Sequence, residues 1–206
     1  MQPLINIDDY FELMDHEFND VAIRPTKDGY RIDRNGIKNR CNYANLKSVD
    51  YLHESNNQLT LIEFSDLAKQ HLAILDKIAA FKACNLDKRE ITRNVKRLHR
   101  EIGSEIKNKY MDTLCILRKI PNVFHNVPAW MIADSGRLII VVAPTQDDIE
   151  ESKKEDIVRV FEKLKDDLTC SIPDDIFRSV KVVQVDSFLG REQYNNSHNK
   201  MIMSLP

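Results

Sequence analysis

Two carboxylates stand in segments otherwise built for a sheet interior: Asp50 within Ser48-Val49-Asp50-Tyr51-Leu52, and Glu63 within Leu61-Ile62-Glu63-Phe64. Between them lies Glu54-Ser55-Asn56-Asn57, and asparagine tolerates the positive φ that a two-residue hairpin turn requires. A turn on Asn56-Asn57 sets Asp50 directly opposite Glu63, with Cβ atoms about 4.5–5.5 Å apart on one face. Two ionised carboxylates at that separation in a covered sheet repel and are poorly solvated. One must take a proton, or a cation must neutralise both. A hard divalent ion such as Mg²⁺ takes one or two protein carboxylates and completes its shell with water and phosphate oxygens. The other arrangement open to these acids is a solvent-facing place at a sheet end, paired with Lys or Arg.

The elements that must hold the pair follow from apolar spacing. Residues 47–53 and 58–64 read as strands apolar on both faces, as central strands of a covered sheet are. Helical periodicity runs over 66–83 and 87–120; in the second, Ile91, Val95, Leu98, Ile102, Ile106, Tyr110, Leu114 and Leu117 recur every three or four positions. Residues 137–143 read as a third buried strand, 147–168 as an acidic amphipathic helix and 179–185 as a further strand. Upstream, 8–20 shows a helical pattern opening on Asp8-Asp9. Residues 24–43 read as a loose, hairpin-like stretch turning at Asp28-Gly29 and Asn35-Gly36. The order predicts an α/β fold with a mixed central sheet flanked by helices. One domain is expected over 1–189, with 190–206, rich in Asn, Ser and His, as a flexible tail.

A carboxylate on one strand, a short turn, and an apolar strand ending in Glu-x-Lys form the core pattern of the PD-(D/E)xK nuclease superfamily. Residues 45–66 resemble that pattern, and the elements that follow agree in order with the family's restriction-endonuclease-like αβββαβ core. The resemblance implies that Asp50, Glu63 and the backbone carbonyl of Phe64 bind Mg²⁺ or Mn²⁺ for phosphodiester hydrolysis. It breaks at Ser65, where the family carries Lys, because a hydroxyl has no positive charge to lend. Some members recruit that Lys from a neighbouring element. Lys69, one helical turn past the strand end, is the replacement expected here, so Asp50, Glu63 and Lys69 are the expected catalytic residues. Lys47 is three residues from Asp50 and belongs to the other sheet face. The alternative is a catalytically inactive nuclease fold kept as a binding module for protein or DNA, such as a phage or antiviral-defence accessory protein. A third reading is a subunit, in a homo-oligomer or larger complex, whose missing group comes from a partner.

Charge is unevenly distributed. Residues 81–120 carry 11 Lys and Arg against 5 Asp and Glu, while 145–176 carry 5 against 11. Arg89, Arg93, Lys96, Arg97 and Arg100 share one helix face, opposite the apolar stripe, where they could track a phosphate backbone. The plainer reading of such a row is a solvated helix face. The net charge of -2 excludes a globally basic nucleic-acid binder without excluding a local patch. The longest apolar run, residues 138–143, is far short of the roughly 20 residues of a membrane span. No secretory leader is visible, and the four cysteines lack C-x-x-C spacing, so a reducing, cytoplasmic setting and buried free thiols are expected. The six histidines show no zinc-hydrolase spacing, and no glycine-rich phosphate loop occurs. Trp130 reads as a core anchor.

Overall fold

The computed structural model describes residues 4–16, 18, 21, 26–84, 87–144 and 151–188. Along the chain, β1 (Ile5–Asn6), β2 (Phe11–Leu13) and β3 (Asp28–Arg31) precede a single helical turn, α1 (Ile37–Arg40). The hairpin β4 (Tyr51–Ser55) and β5 (Gln58–Phe64) leads into two helices, α2 (Leu67–Ala83) and α3 (Lys88–Leu117). After β6 (Phe124–His125) come β7 (Gly136–Val142), α4 (Glu151–Ser171), β8 (Phe177–Gln184) and α5 (Val185–Phe188). The fold is mixed α/β. Six strands form one sheet in the order β2-β3-β4-β5-β7-β8, and β1 pairs with β6 in a small parallel sheet. Strands β2 to β5 are antiparallel neighbours, while β5, β7 and β8 run parallel.

The central hairpin has the register its turn demands. Asn56 and Asn57 adopt φ of 55° and 56°, and the ladder runs from Ser55 opposite Gln58 to Tyr51 opposite Ile62. Leu52, Leu59, Leu61, Leu138, Ile140 and Val180 face one side, where α2, α3 and α4 pack on them. Tyr51, Ile62 and Val141 face the other and meet Met14, Val185 and Phe188. Asp66 caps α2 by accepting from Lys69 N, and Asp87 caps α3 by accepting from Arg89 N, which fixes where both helices begin. Among the described residues no helix is long and apolar enough to cross a membrane.

Several expectations are corrected. The strand expected over 47–53 begins at Tyr51, because α3 side chains take the preceding amides. Lys47 N donates to Asp112 Oδ2 (3.0 Å) and Val49 N to Thr113 Oγ1 (3.1 Å). Where a helix is expected over 8–20, residues 7–10 form a 3-10 turn followed by β2, and residues 17, 19 and 20 lie outside the described residues. Ile7 and Met14 are buried while Phe11 and Leu13 are exposed, a division that a helical stripe would not produce. Asp28-Gly29 lies within β3, not in a turn. A Cβ on Gly29 would sit 2.7 Å from Met14 Cε, so glycine there permits close packing. The expected buried thiols hold only for Cys41; Cys84, Cys115 and Cys170 are exposed. The start of the helix expected from 147 and the tail expected over 190–206 lie outside the described residues.

Candidate active site

Asp50 sits where the chain leaves the α3 clamps and enters the sheet. Its backbone N–H donates to Ile62 O (3.0 Å) and its carbonyl accepts from Ile32 N (2.9 Å), so both neighbouring strands fix it. The Asp50 carboxylate turns across the hairpin and accepts from Phe64 N at 2.7 Å. Glu63, on β5, is 1% exposed. Both acids line a cavity of about 280 Å³ at the end of the hairpin distal to the Asn56-Asn57 turn.

A third charged group completes this floor. Lys109, on α3, donates to Glu63 Oε1 at 2.5 Å. It lies on the helix face that packs on the sheet, in register with Leu98, Ile102 and Thr113 at spacings of four, seven and four residues. That pattern is the signal sequence reasoning missed: a lysine at a position the apolar stripe should fill. Tyr110, next to it, anchors this part of α3 by donating to Gly136 O (3.0 Å) or Ile176 O (2.5 Å).

One ammonium does not balance two buried acids. Burial, and then the charge of Asp50, push the Glu63 carboxyl up to about 8 against the pull of Lys109. Burial also raises Asp50, opposed by the Phe64 N–H and by Lys109. Burial works to lower Lys109, but the charge of Glu63 and its hydrogen bond outweigh it and hold the ammonium protonated. Asp33 also lines the cavity, but Lys38 and Ser48 Oγ (3.2 Å) already engage its Oδ1. Glu63 Oε2 is buried with no hydrogen-bond partner. That orphaned oxygen, beside a second carboxylate and a shortfall of positive charge, fits a divalent cation. Among the described residues no cluster of three or more His, Cys, Asp or Glu side chains is arranged to hold a metal. Two carboxylates suit an ion that keeps several waters, as Mg²⁺ does.

The other expected site residues are placed differently. Lys69 is exposed on α2 and does not line the cavity, whereas Lys109 does. Ser65, on the same face as Glu63, accepts from Gln70 Nε2 (3.0 Å). Arg89, Arg93, Lys96, Arg97 and Arg100 are all exposed, and none lines the cavity. Arg100 is nine residues before Lys109, about 14 Å along the axis and on the opposite side of α3. Four of the five line a separate open groove with Lys47 and Glu105.

Comparison with known proteins finds no matching family model, no matching curated protein and no matching solved structure.

Proposed function

We propose that this chain is a divalent-metal-dependent phosphodiesterase acting on nucleic acid, with a site of the PD-(D/E)xK kind. The observation that carries this reading is the meeting of Asp50, Glu63 and Lys109 at one cavity floor, with Glu63 Oε2 left unpartnered. Three consecutive antiparallel strands, a helical crossover and a strand parallel to the third support it, since the αβββαβ order asks for them.

Asp50 and Glu63 would hold Mg²⁺ or Mn²⁺, with the Phe64 carbonyl as a third oxygen. When bound, the cation supplies positive charge to the phosphoryl oxygens and makes water a better nucleophile at neutral pH. Glu63 would hold the cation as a carboxylate, without the proton that burial otherwise keeps on it. Lys109 keeps the Glu63 carboxylate oriented through Oε1 and presents the remaining ammonium protons to the cavity. This is the charge that Ser65 cannot provide. Arg31 and Arg34 line the same cavity, with Arg31 held by Glu12 Oε1 at 2.6 Å.

The test is cleavage of linear, nicked and single-stranded DNA, and of RNA, in Mn²⁺ by wild type and Glu63→Ala. Thermal unfolding with and without Mn²⁺ runs alongside. Cleavage and a Mn²⁺-dependent stability gain, both lost in the variant, support the reading. Neither appearing in the folded wild type overturns it. One observation favours a second reading, an inactive nuclease fold used for binding: Lys109 is already committed to Glu63 rather than free. Under that reading the chain serves a partner, as a phage or defence accessory protein would. Mn²⁺ then leaves its stability unchanged.

A further inference from the structure

The cavity has a second wall of different chemistry. His16, Phe18 and Phe64 line it, with the His16 and Phe18 rings stacked at 5.0 Å and 26° and the Phe18 and Phe64 rings 6.2 Å apart. All three are half-buried, so they close the cavity without being sealed in the core. Phe64 joins the two walls, because its N–H holds the Asp50 carboxylate while its ring meets the aromatic group.

This wall is held in place. Asp15 N donates to Tyr51 Oη (3.0 Å), and Met14 N donates to Lys27 O (2.9 Å). Met14 is 1% exposed, so the segment carrying His16 is anchored in the apolar layer beneath the sheet. Arg31 donates from Nη2 to the same Tyr51 Oη at 2.7 Å and also lines the cavity.

We infer that the cavity receives one unpaired nucleotide, with its phosphate at the Asp50–Glu63–Lys109 floor and its base against the His16–Phe18–Phe64 wall. The substrate class is then single-stranded nucleic acid, or a strand end frayed from a duplex. The phosphate half rests on the reading proposed above; the base half rests on the rings. Every base offers a π face, so the wall is tolerant of sequence. Paired bases are stacked on their neighbours and must be extruded before they can enter a recess of this size. A cavity of about 280 Å³ falls just below the roughly 300–1,000 Å³ of ordinary ligand pockets. That is the scale of one nucleotide rather than of a duplex.

The experiment is fluorescence anisotropy in Ca²⁺, so that the carboxylates are neutralised, with labelled nuclease-resistant phosphorothioate strands: single-stranded DNA, single-stranded RNA and a duplex of the same sequence. Single strands are expected to bind at least about tenfold more tightly than the duplex. Phe18→Leu should weaken them about tenfold, and Phe18→Trp should retain binding. The leucine keeps apolar bulk while removing the ring, which separates stacking from folding. The two strand types show whether the ligand is DNA or RNA. Equal or tighter binding of duplex, wild-type affinity in Phe18→Leu, or no binding of any strand overturns the inference. Mn²⁺-dependent stability, measured on the same proteins, reports on the metal site separately. Strand binding without a Mn²⁺ effect supports the aromatic subsite while removing catalysis. A Mn²⁺ effect without strand binding does the reverse.

Discussion

Lys109 Nζ lies 2.5 Å from Glu63 Oε1, a contact between the C-terminal third of a 30-residue helix and the next-to-last residue of the inner strand β5. The glutamate side chain is 1% exposed and the lysine side chain 22%, so the pair is dry at one end and open to the cavity at the other. Such an arrangement gives the lysine two tasks: it offsets a charge that burial makes expensive, and it reaches a place where substrate can come.

Replacing Lys109 by Met separates those tasks. Above about pH 8, where Glu63 is ionised, removing Lys109 leaves a buried charge uncompensated and costs on the order of 3 kcal/mol. Glu63 can escape part of that cost by holding its proton more tightly. Lys109→Met should therefore lower the urea midpoint and abolish cleavage in Mn²⁺. Adding Glu63→Gln to it should recover stability but not cleavage. A double-mutant cycle read by urea denaturation and by nuclease assay checks both. Full cleavage by Lys109→Met would remove this residue from the machinery.

The pH dependence follows from Glu63. Below about 4.5 its carboxyl is protonated in folded and unfolded chains alike. Between there and about 8, the unfolded chain has released the proton while the folded chain still holds it. The folded state then binds more protons, so its stability falls as pH rises through that window and levels off above it. Glu63→Gln cannot ionise and should show a flatter profile. Urea unfolding at about pH 5 and about pH 8 checks this. Mn²⁺ should offset the loss at the higher pH in wild type only, because the cation takes the proton's place.

Much of this geometry was legible in the residues. Asn56-Asn57 fixed the hairpin, and the hairpin register put Asp50 and Glu63 together, because a two-residue turn leaves no freedom in pairing. Lys109 is hidden by distance: local spacing cannot show that residue 109 packs over residue 63, whereas Lys69 is near Glu63 in sequence. The anomaly was nevertheless present, a lysine in register with Leu98 and Ile102 on a core-facing stripe. The aromatic wall escaped for another reason. The pattern over 8–20 fits a helix, and only pairing of β2 with β3, Phe11 opposite Tyr30, settles residues 11–13 as extended. That places His16 and Phe18 beside Phe64, a contact between residues almost fifty positions apart.

The basic row on α3 gives the last prediction. Arg93 and Arg97 are exposed and line a groove apart from the cavity, so changing both to Ala should shift stability by no more than about 0.5 kcal/mol. If a strand that enters the cavity also runs along α3, each lost arginine removes about one unit from the slope of log affinity against log salt. The row ends about 14 Å before Lys109 and faces away from it, so only a long strand can touch both. Short oligonucleotides should therefore bind the Arg93→Ala, Arg97→Ala variant as they bind wild type, while long ones bind it more weakly and with a shallower salt slope. Anisotropy titrations with short and long strands across a salt series check this. Equal loss for both lengths would mean that the row acts on the cavity through the general field of the protein, and identical behaviour at every length would make it a solvated helix face.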